Sequence, residues 1–358
     1  MAELEKRKQS MLPPISRSTS QPNRFRRFRK IRRAYYSFLI LGIAFALSLF
    51  CRFLANDKPL FLRYRGHAYF PVVRFYPSSA FGGDYGTETD YLKLRNDPSF
   101  KAGGGFMILP PIPHNPLRTY LDLEGTPPHA PSRDHWLGTD NSARDVLSRL
   151  IYGFRICMSF ALLLALTDAV FGIIIGGIQG YLGGKVDITL QRFIEIWNSL
   201  PFLYVVILLG ATYGRGFVLL LLIMAAFEWV ALSYYMRGEF LKIKGQAYVR
   251  AARALGMGHV RIFFHHILPN SLTPVITIMP FTIVTGISAL TALDFLGFGL
   301  PPPTPSWGEM LQQGLENLQK PWIAISSITA LFFTLLLATF IGEGVRAAFD
   351  PKSGHHIE

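Results

Sequence analysis

Apolar positions in this chain are gathered into long runs rather than spread at strand or surface-helix spacing. A helix needs roughly 20 apolar residues to cross the hydrocarbon core of a bilayer. Runs of that order lie at about 34–54, 156–182, 193–212, 217–236, 272–293 and 322–341. The pattern predicts an all-α integral membrane protein with about six transmembrane helices. Between the first two runs, residues 56–149 are rich in Pro, Gly and aromatics and contain no long apolar run, so an insertion outside the membrane is expected there. The divisions that follow are a basic tail at 1–33, an anchor helix at 34–54, an insertion at 55–150, a membrane core at 151–346 containing a polar loop at 237–268, and a tail at 347–358.

Composition agrees, with 50% hydrophobic residues, 16% charged residues and a mean hydropathy of +0.28, more apolar than soluble chains tolerate. The net charge of +13 points to nucleic acid or to an anionic membrane surface, and its distribution decides between them. Arg24, Arg26, Arg27, Arg29, Lys30, Arg32 and Arg33 crowd the start and stop where the first apolar run begins at Ala34. Arg237, Lys242, Lys244, Arg250, Arg253 and Arg261 form a second basic cluster. By the positive-inside rule both clusters are cytoplasmic, and six crossings put the N-terminus, the 237–268 loop and the C-terminus inside together. A nucleic-acid arm is the weaker reading, and no nucleic-acid partner is expected. The first run is read as an uncleaved anchor, because its basic region is long and no small-x-small cleavage site follows. Cys51 is preceded by Phe50, which disfavours lipoprotein processing. Cys51 and Cys157 make neither a disulfide framework nor a metal site; they either approach each other near the outer ends of the first two spans or are two unrelated buried thiols.

Gly172, Gly176 and Gly180 repeat every four residues and predict close approach of another helix backbone. Pro201, Pro274 and Pro280 interrupt the third and fifth runs. Asp168, Glu195 and Glu228 are costly inside apolar runs and must face a protein partner or water; a proton relay and plain structural pairing are both open. His265 and His266 point about 100° apart on a helix, unlike the i, i+4 spacing that ligates one ion, so no metal site is read there.

Residues 248–270 of the loop predict a short helix ending at a glycine, a turn, a second amphipathic helix and a proline opening the next span. Ala251, Ala252 and Ala254 leave a low-relief surface for a partner, and Gly256 and Gly258 permit backbone angles closed to other residues. This segment resembles the coupling motif of ABC-importer permeases, Glu-Ala-Ala, three residues, Gly, nine residues, Ile-x-Leu-Pro. Ala251, Ala252, Gly256, Leu268 and Pro269 fall in register; Arg250 replaces the Glu and His266 the Ile, and both departures are similar to the dipeptide and oligopeptide branch. Three further blocks resemble the C-type permeases of that branch: His135–Asp140 with Arg144–Leu150, Leu293–Gly299 with Pro305–Gly308, and Gly342-Glu343 with Arg346 and Phe349–Pro351. The long insertion resembles that of permeases of Yej-type oligopeptide transporters.

The resemblance implies a peptide-importing permease subunit in the bacterial inner membrane, coupled to ATPase subunits through Arg250, Ala251, Ala252, Arg253, Gly256, Gly258, Leu268 and Pro269. It implies as partners a second related permease, two ATP-binding subunits and a periplasmic substrate-binding protein, with the path for peptide between the two permeases. No Gly-x-x-x-x-Gly-Lys-Ser/Thr phosphate loop occurs, since Gly183-Gly184-Lys185 continues into Val186. The chain is therefore expected to be a transporter subunit and not an enzyme, to hold no cofactor, and to leave ATP and Mg to its partners. An ion-coupled secondary transporter using Asp168, Glu195 or Glu228 is the alternative.

Overall fold

The computed structural model describes residues 24–83 and 86–349. Most of the two terminal tails, and Asp350 and Pro351 of the last resembling block, lie outside these described residues. Helix α1 (Arg24–Lys30) leads into the anchor α2 (Arg32–Leu49). The core is built from α3 (Val146–Leu182), α4 (Gly184–Asn198), α5 (Phe202–Tyr213), α6 (Phe217–Lys244), α7 (Ala247–Ala254), α8 (Thr273–Phe295), α9 (Trp307–Glu316) and α10 (Trp322–Phe349). Five of these, α2, α3, α6, α8 and α10, are each long and apolar enough to span a bilayer, and α4 with α5 forms a pair bent by 70° that passes the same test together. The bend falls where Pro201 cannot continue a helix, in the middle of the third apolar run.

Contacts between glycines and neighbouring helices set the directions of the spans. Gly172 lies against Leu232, Gly176 against Ser233 and Met236, and Gly180 against Arg237 and Phe240. Numbers rise together along the two helices, so α3 and α6 run parallel, and the bent pair between them must carry the chain back from the inner end to the outer end. Helix α8 runs the other way, with Gly286 against Ala161 and Leu164 and the Thr282 hydroxyl donating to Asp168. At the inner end, Ala34 packs on Gly344, Arg33 pairs with Glu343 and Phe28 is buried with Ala348. The first and last described helices therefore begin and end on one side, as the basic clusters predict.

The insertion adds what the hydropathy pattern did not predict, a three-stranded antiparallel sheet of order β2-β1-β3. Its strands are β1 (Phe61–Tyr64), β2 (His67–Tyr69) and β3 (Phe106–Ile108), with Leu62 opposite both Tyr69 and Met107. Tyr64, Phe81, Tyr91 and Phe100 close a small aromatic core beside it. The two cysteines are free and buried.

Candidate functional site

The coupling segment begins where α6 ends. Helix α7 has Val249 and Ala252 buried, three residues apart and so on one face. Its C-terminus closes in a Schellman motif: Gly256 N–H donates to the Arg253 carbonyl at 3.0 Å and Met257 N–H to the Ala252 carbonyl at 3.1 Å. That turn needs a left-handed residue, and Gly256 supplies it at φ +78°. Gly258 does not share the requirement, because its φ is −65° and ψ 150°, open to any residue; it caps the turn His259–Ile262. The second helix of the loop is broken into that turn, a π-helical turn at Phe263–Ile267, and a single turn at Leu268–Ser271. Pro269 lies in this last turn, and the next span opens four residues later at Thr273, with Pro274 at its start.

The eight expected residues thus divide between two faces. Ala252 is buried against the chain's own core, and Leu268 is half-buried beside it. Arg250, Ala251, Arg253, Gly256, Gly258 and Pro269 are exposed, and a surface of Ala251 with Ala252 is therefore not presented; Ala251 is continued instead by Leu255, which is 87% exposed, and Val260, 72% exposed. Leu255 is an exposed apolar side chain that water solvates poorly, and Val260 borders an apolar cavity against Ile178 and Leu182 of α3. Arg250 and Arg253 have no carboxylate partner among the described residues.

Underneath, the loop is fastened to two spans. The Tyr181 hydroxyl and His259 Nδ1 are hydrogen-bonded at 2.7 Å, and Phe263 packs on the rings of Tyr181 and Phe240. Met257, Ile262 and Ile267 join Phe240 and Ile243 of α6 in one cluster. Asp187 accepts two bonds from Arg237, at 2.6 and 2.7 Å, so α4 is tied to the same end of α6. The ends of α3, α4 and α6 are thus joined to one another and to the loop that follows α7.

At the opposite end, two of the other resembling blocks, His135–Leu150 and Leu293–Gly308, converge on one buried ionic network. Arg144 donates to Asp140 at 2.8 Å and to Glu309 at 2.9 Å; Arg149, fully buried, donates to Glu309 at 2.6 Å. Ser306 caps α9 and also donates to Asp294, while Trp307 donates to the Leu150 carbonyl at 3.0 Å. Asp145 caps α3 through Ser148 N–H at 2.8 Å and is held on its other oxygen by His135 at 2.9 Å. His135 stacks on His114, whose two nitrogens meet the Tyr120 hydroxyl and the Asp134 carbonyl. Burial holds His114 below its ordinary range. Burial would raise Asp145, but the bonds from His135 and Ser148 outweigh it and keep that carboxyl low. His114, His135 and Asp145 bring their ligand atoms within 4.8 Å of one another. Both His114 nitrogens are already committed to protein partners, so the triad is a structural clasp over the start of α3. Nothing in the spacing of His114 and Tyr120 announced it.

Of the three carboxylates in the apolar runs, Glu195 stands apart, while Asp168 and Glu228 are near enough to interact electrostatically. Glu195 is exposed and paired with Arg192 at 2.5 Å, Asp168 is buried on α3 beside Thr282, and Glu228 is half-buried on α6.

The family of binding-protein-dependent transport system inner membrane components matches residues 170–355. The chain is 43% identical to the inner membrane ABC transporter permease protein YejE of Escherichia coli, over 96% of this chain and 99% of that one. It is 42% identical to the peptidoglycan transport system permease protein YejE of Agrobacterium fabrum, over 94% of each. It is 37% identical to the dipeptide transport system permease protein DppC of Bacillus subtilis, over 67% of this chain and 75% of that one.

Proposed function

The chain belongs to the family of binding-protein-dependent transport system inner membrane components, and on that premise we propose that it is the permease subunit of a bacterial importer of peptides, driven through the loop 247–269 by separate ATPase subunits. It is a multi-pass protein of the inner membrane that works with the other components of an ABC transporter. The cargo is read as peptides and peptide-like compounds, the class to which the names of its dipeptide and peptidoglycan relatives point. The working assembly is read as this chain, a second related permease, two ATP-binding subunits that hold ATP and Mg, and a soluble binding protein on the outer side.

The observation that carries the coupling role is the two-sided construction of α7. Its inner face buries Ala252 and Val249, the latter in one cluster with Phe240 and Ile243 of α6, and the turn that follows is held to α3 by the Tyr181–His259 bond, while the outer face presents Ala251, Leu255 and Arg250 and Arg253, which have no carboxylate partner among the described residues. An apolar knob flanked by cations suits a groove with an acidic rim on a partner. Ion-coupled transport is not favoured, because Glu195 is satisfied by Arg192 outside the core and the family is driven by other means. The test is peptide uptake and binding-protein-stimulated ATP hydrolysis in the reconstituted assembly, comparing the native chain with Leu255→Asp. Loss of both activities with normal membrane insertion is expected; full activity in Leu255→Asp overturns the coupling role.

A further inference from the structure

The anchor helix α2 and the outer half of α3 run antiparallel, and among the cavities they line are two of opposite character. The outer one, about 530 Å³, is lined by Arg52, Lys58, Tyr152, Arg155 and Thr304. The inner one, about 250 Å³, is lined by Leu41, Phe45, Met158 and Leu162, with Pro280 of α8 and Ala338 of α10 closing it. The register is set by the Tyr152 hydroxyl, which donates to the Ala55 carbonyl at 3.1 Å. Below that level Arg155 sits beside Arg52, then Met158 beside Phe45, then Leu162 beside Leu41, so the polar cavity opens directly above the apolar one.

The charges in the outer cavity run against the rule that orients the rest of the chain. Arg52 lies near the end of the first apolar run, three residues beyond the last residue of α2, and Arg155 directly precedes the second run, which places both at the outer boundary, where basic residues are depleted. Lys58 is neutralised by Glu88. Arg52 and Arg155 have no carboxylate partner among the described residues, and Arg155 rests only on the face of the Tyr152 ring, 5.1 Å from its centroid. Two unpaired guanidiniums beside a hydroxyl form a fork suited to a phosphate. Phe50 and Phe53, 62% and 44% exposed, project at the same depth, as aromatic residues do at the headgroup level of a bilayer. Only 17% of the spanning window of α2 is buried, so this seam opens to lipid.

We propose that the outer cavity binds the phosphate of an anionic phospholipid from the outer leaflet, with one acyl chain lying in the apolar cavity below it. The lipid completes the packing between α2 and α3, which meet far less than α2 and α10 do, and supplies the counter-charge that Arg52 and Arg155 lack. This site is independent of the cargo assigned above.

The test uses the intact importer, assembled with its partner subunits, in nanodiscs of phosphatidylethanolamine carrying phosphatidylglycerol with a diazirine on its acyl chain. Photolysis is expected to label peptides containing residues 38–45 and 158–162, and the double variant Arg52→Gln, Arg155→Gln should weaken labelling roughly 30-fold, since about 1 kcal/mol per basic residue makes about 2 kcal/mol for the pair at about tenfold per 1.4 kcal/mol. If that variant fails to assemble, the pair Met158→Trp, Leu162→Trp fills the acyl cavity with both arginines intact and should abolish labelling there. Uniform labelling of all lipid-facing helices, or labelling unchanged by either variant pair, overturns the proposal. Equal displacement by soluble glycerophosphoglycerol would show an anion site without a lipid, and displacement by a peptide with a free carboxylate would assign the cavity to cargo; either result also overturns it.

Discussion

The Tyr181 hydroxyl, on the last turn of α3, and Nδ1 of His259, in the coupling segment, are joined by a hydrogen bond of 2.7 Å. Two residues 78 positions apart thereby weld a membrane span to the loop that a partner would push. One neutral hydrogen bond contributes about 0.5–1.5 kcal/mol net, and His259 is exposed enough for water to replace the lost partner. Tyr181→Phe should therefore insert and assemble normally while binding-protein-stimulated ATP hydrolysis and uptake lose step with each other by roughly two- to tenfold. An unchanged ratio of peptides imported to ATP hydrolysed in Tyr181→Phe would show that this bond transmits nothing.

Gly256 holds a left-handed backbone at φ +78° with open space where a Cβ would stand. The penalty for Gly256→Val thus arises from the backbone, about 1–2 kcal/mol for an L-residue there, plus any clash with the partner. The Schellman turn should open and Leu255 should swing out of place. Uptake is expected to fall at least tenfold with normal protein levels, whereas Arg250→Ala, which removes one exposed charge, should cost no more than about fivefold because such pairs contribute at most about 1 kcal/mol. Equal defects in the two variants, measured in the same vesicles, would contradict this ranking.

Gly176 has no room for a side chain, since a Cβ would collide with the Ser233 carbonyl of α6. Overfilling such a contact costs typically 1–3 kcal/mol, and here the obstacle is backbone that no rotamer change removes. Gly176→Leu should separate α3 from α6, lower the midpoint of thermal unfolding in detergent and abolish transport. The same change at Gly238, which faces open space on α6, should leave the midpoint within a degree or two. A Gly176→Leu protein as stable as the Gly238→Leu control would exclude the close-approach reading.

The spans were legible because a bilayer imposes length and apolarity together, and Gly172, Gly176 and Gly180 declared their packing face by spacing alone. The bend at Pro201 was legible as an interruption, but the parallel course of α3 and α6 was not, because direction depends on which residues meet. Strands of three or four residues such as Phe61–Tyr64 carry too little alternation to separate from loop. By size Ala252 reads as part of a low-relief exposed surface with Ala251, but its phase, three residues after Val249, puts it on the inward stripe. Leu255 and Val260 show the opposite effect, since an apolar residue in a sequence reads as core although both of these are exposed. The His114 clasp was out of reach because its partners lie 6, 20 and 21 positions away, at Tyr120, Asp134 and His135, with no periodicity linking them.

That clasp gives the outer side an acid-sensitive element. His114 faces Tyr120, Asp134, His135 and Asp145, and burial holds its folded pKa below the ordinary 6.5. A group whose folded pKa is depressed contributes stability that is complete above the unfolded value and is lost as pH falls, so the His114 contribution should be intact at pH 7.5 and shrink below about 6.5. The loss reaches up to about 1.4 kcal/mol per unit of pH until the folded pKa is passed. Asp145 is also depressed, from 3.8, and by the same reasoning its contribution is lost only as pH falls below 3.8, outside this window. Protection of the segment 113–135 from protease or from amide exchange should therefore decline between pH 7 and pH 5. In His114→Asn, which keeps a donor and an acceptor without a titrating ring, the decline should flatten while protection at pH 7.5 drops by no more than about tenfold. An identical pH slope in the native chain and in His114→Asn would place the acid sensitivity elsewhere.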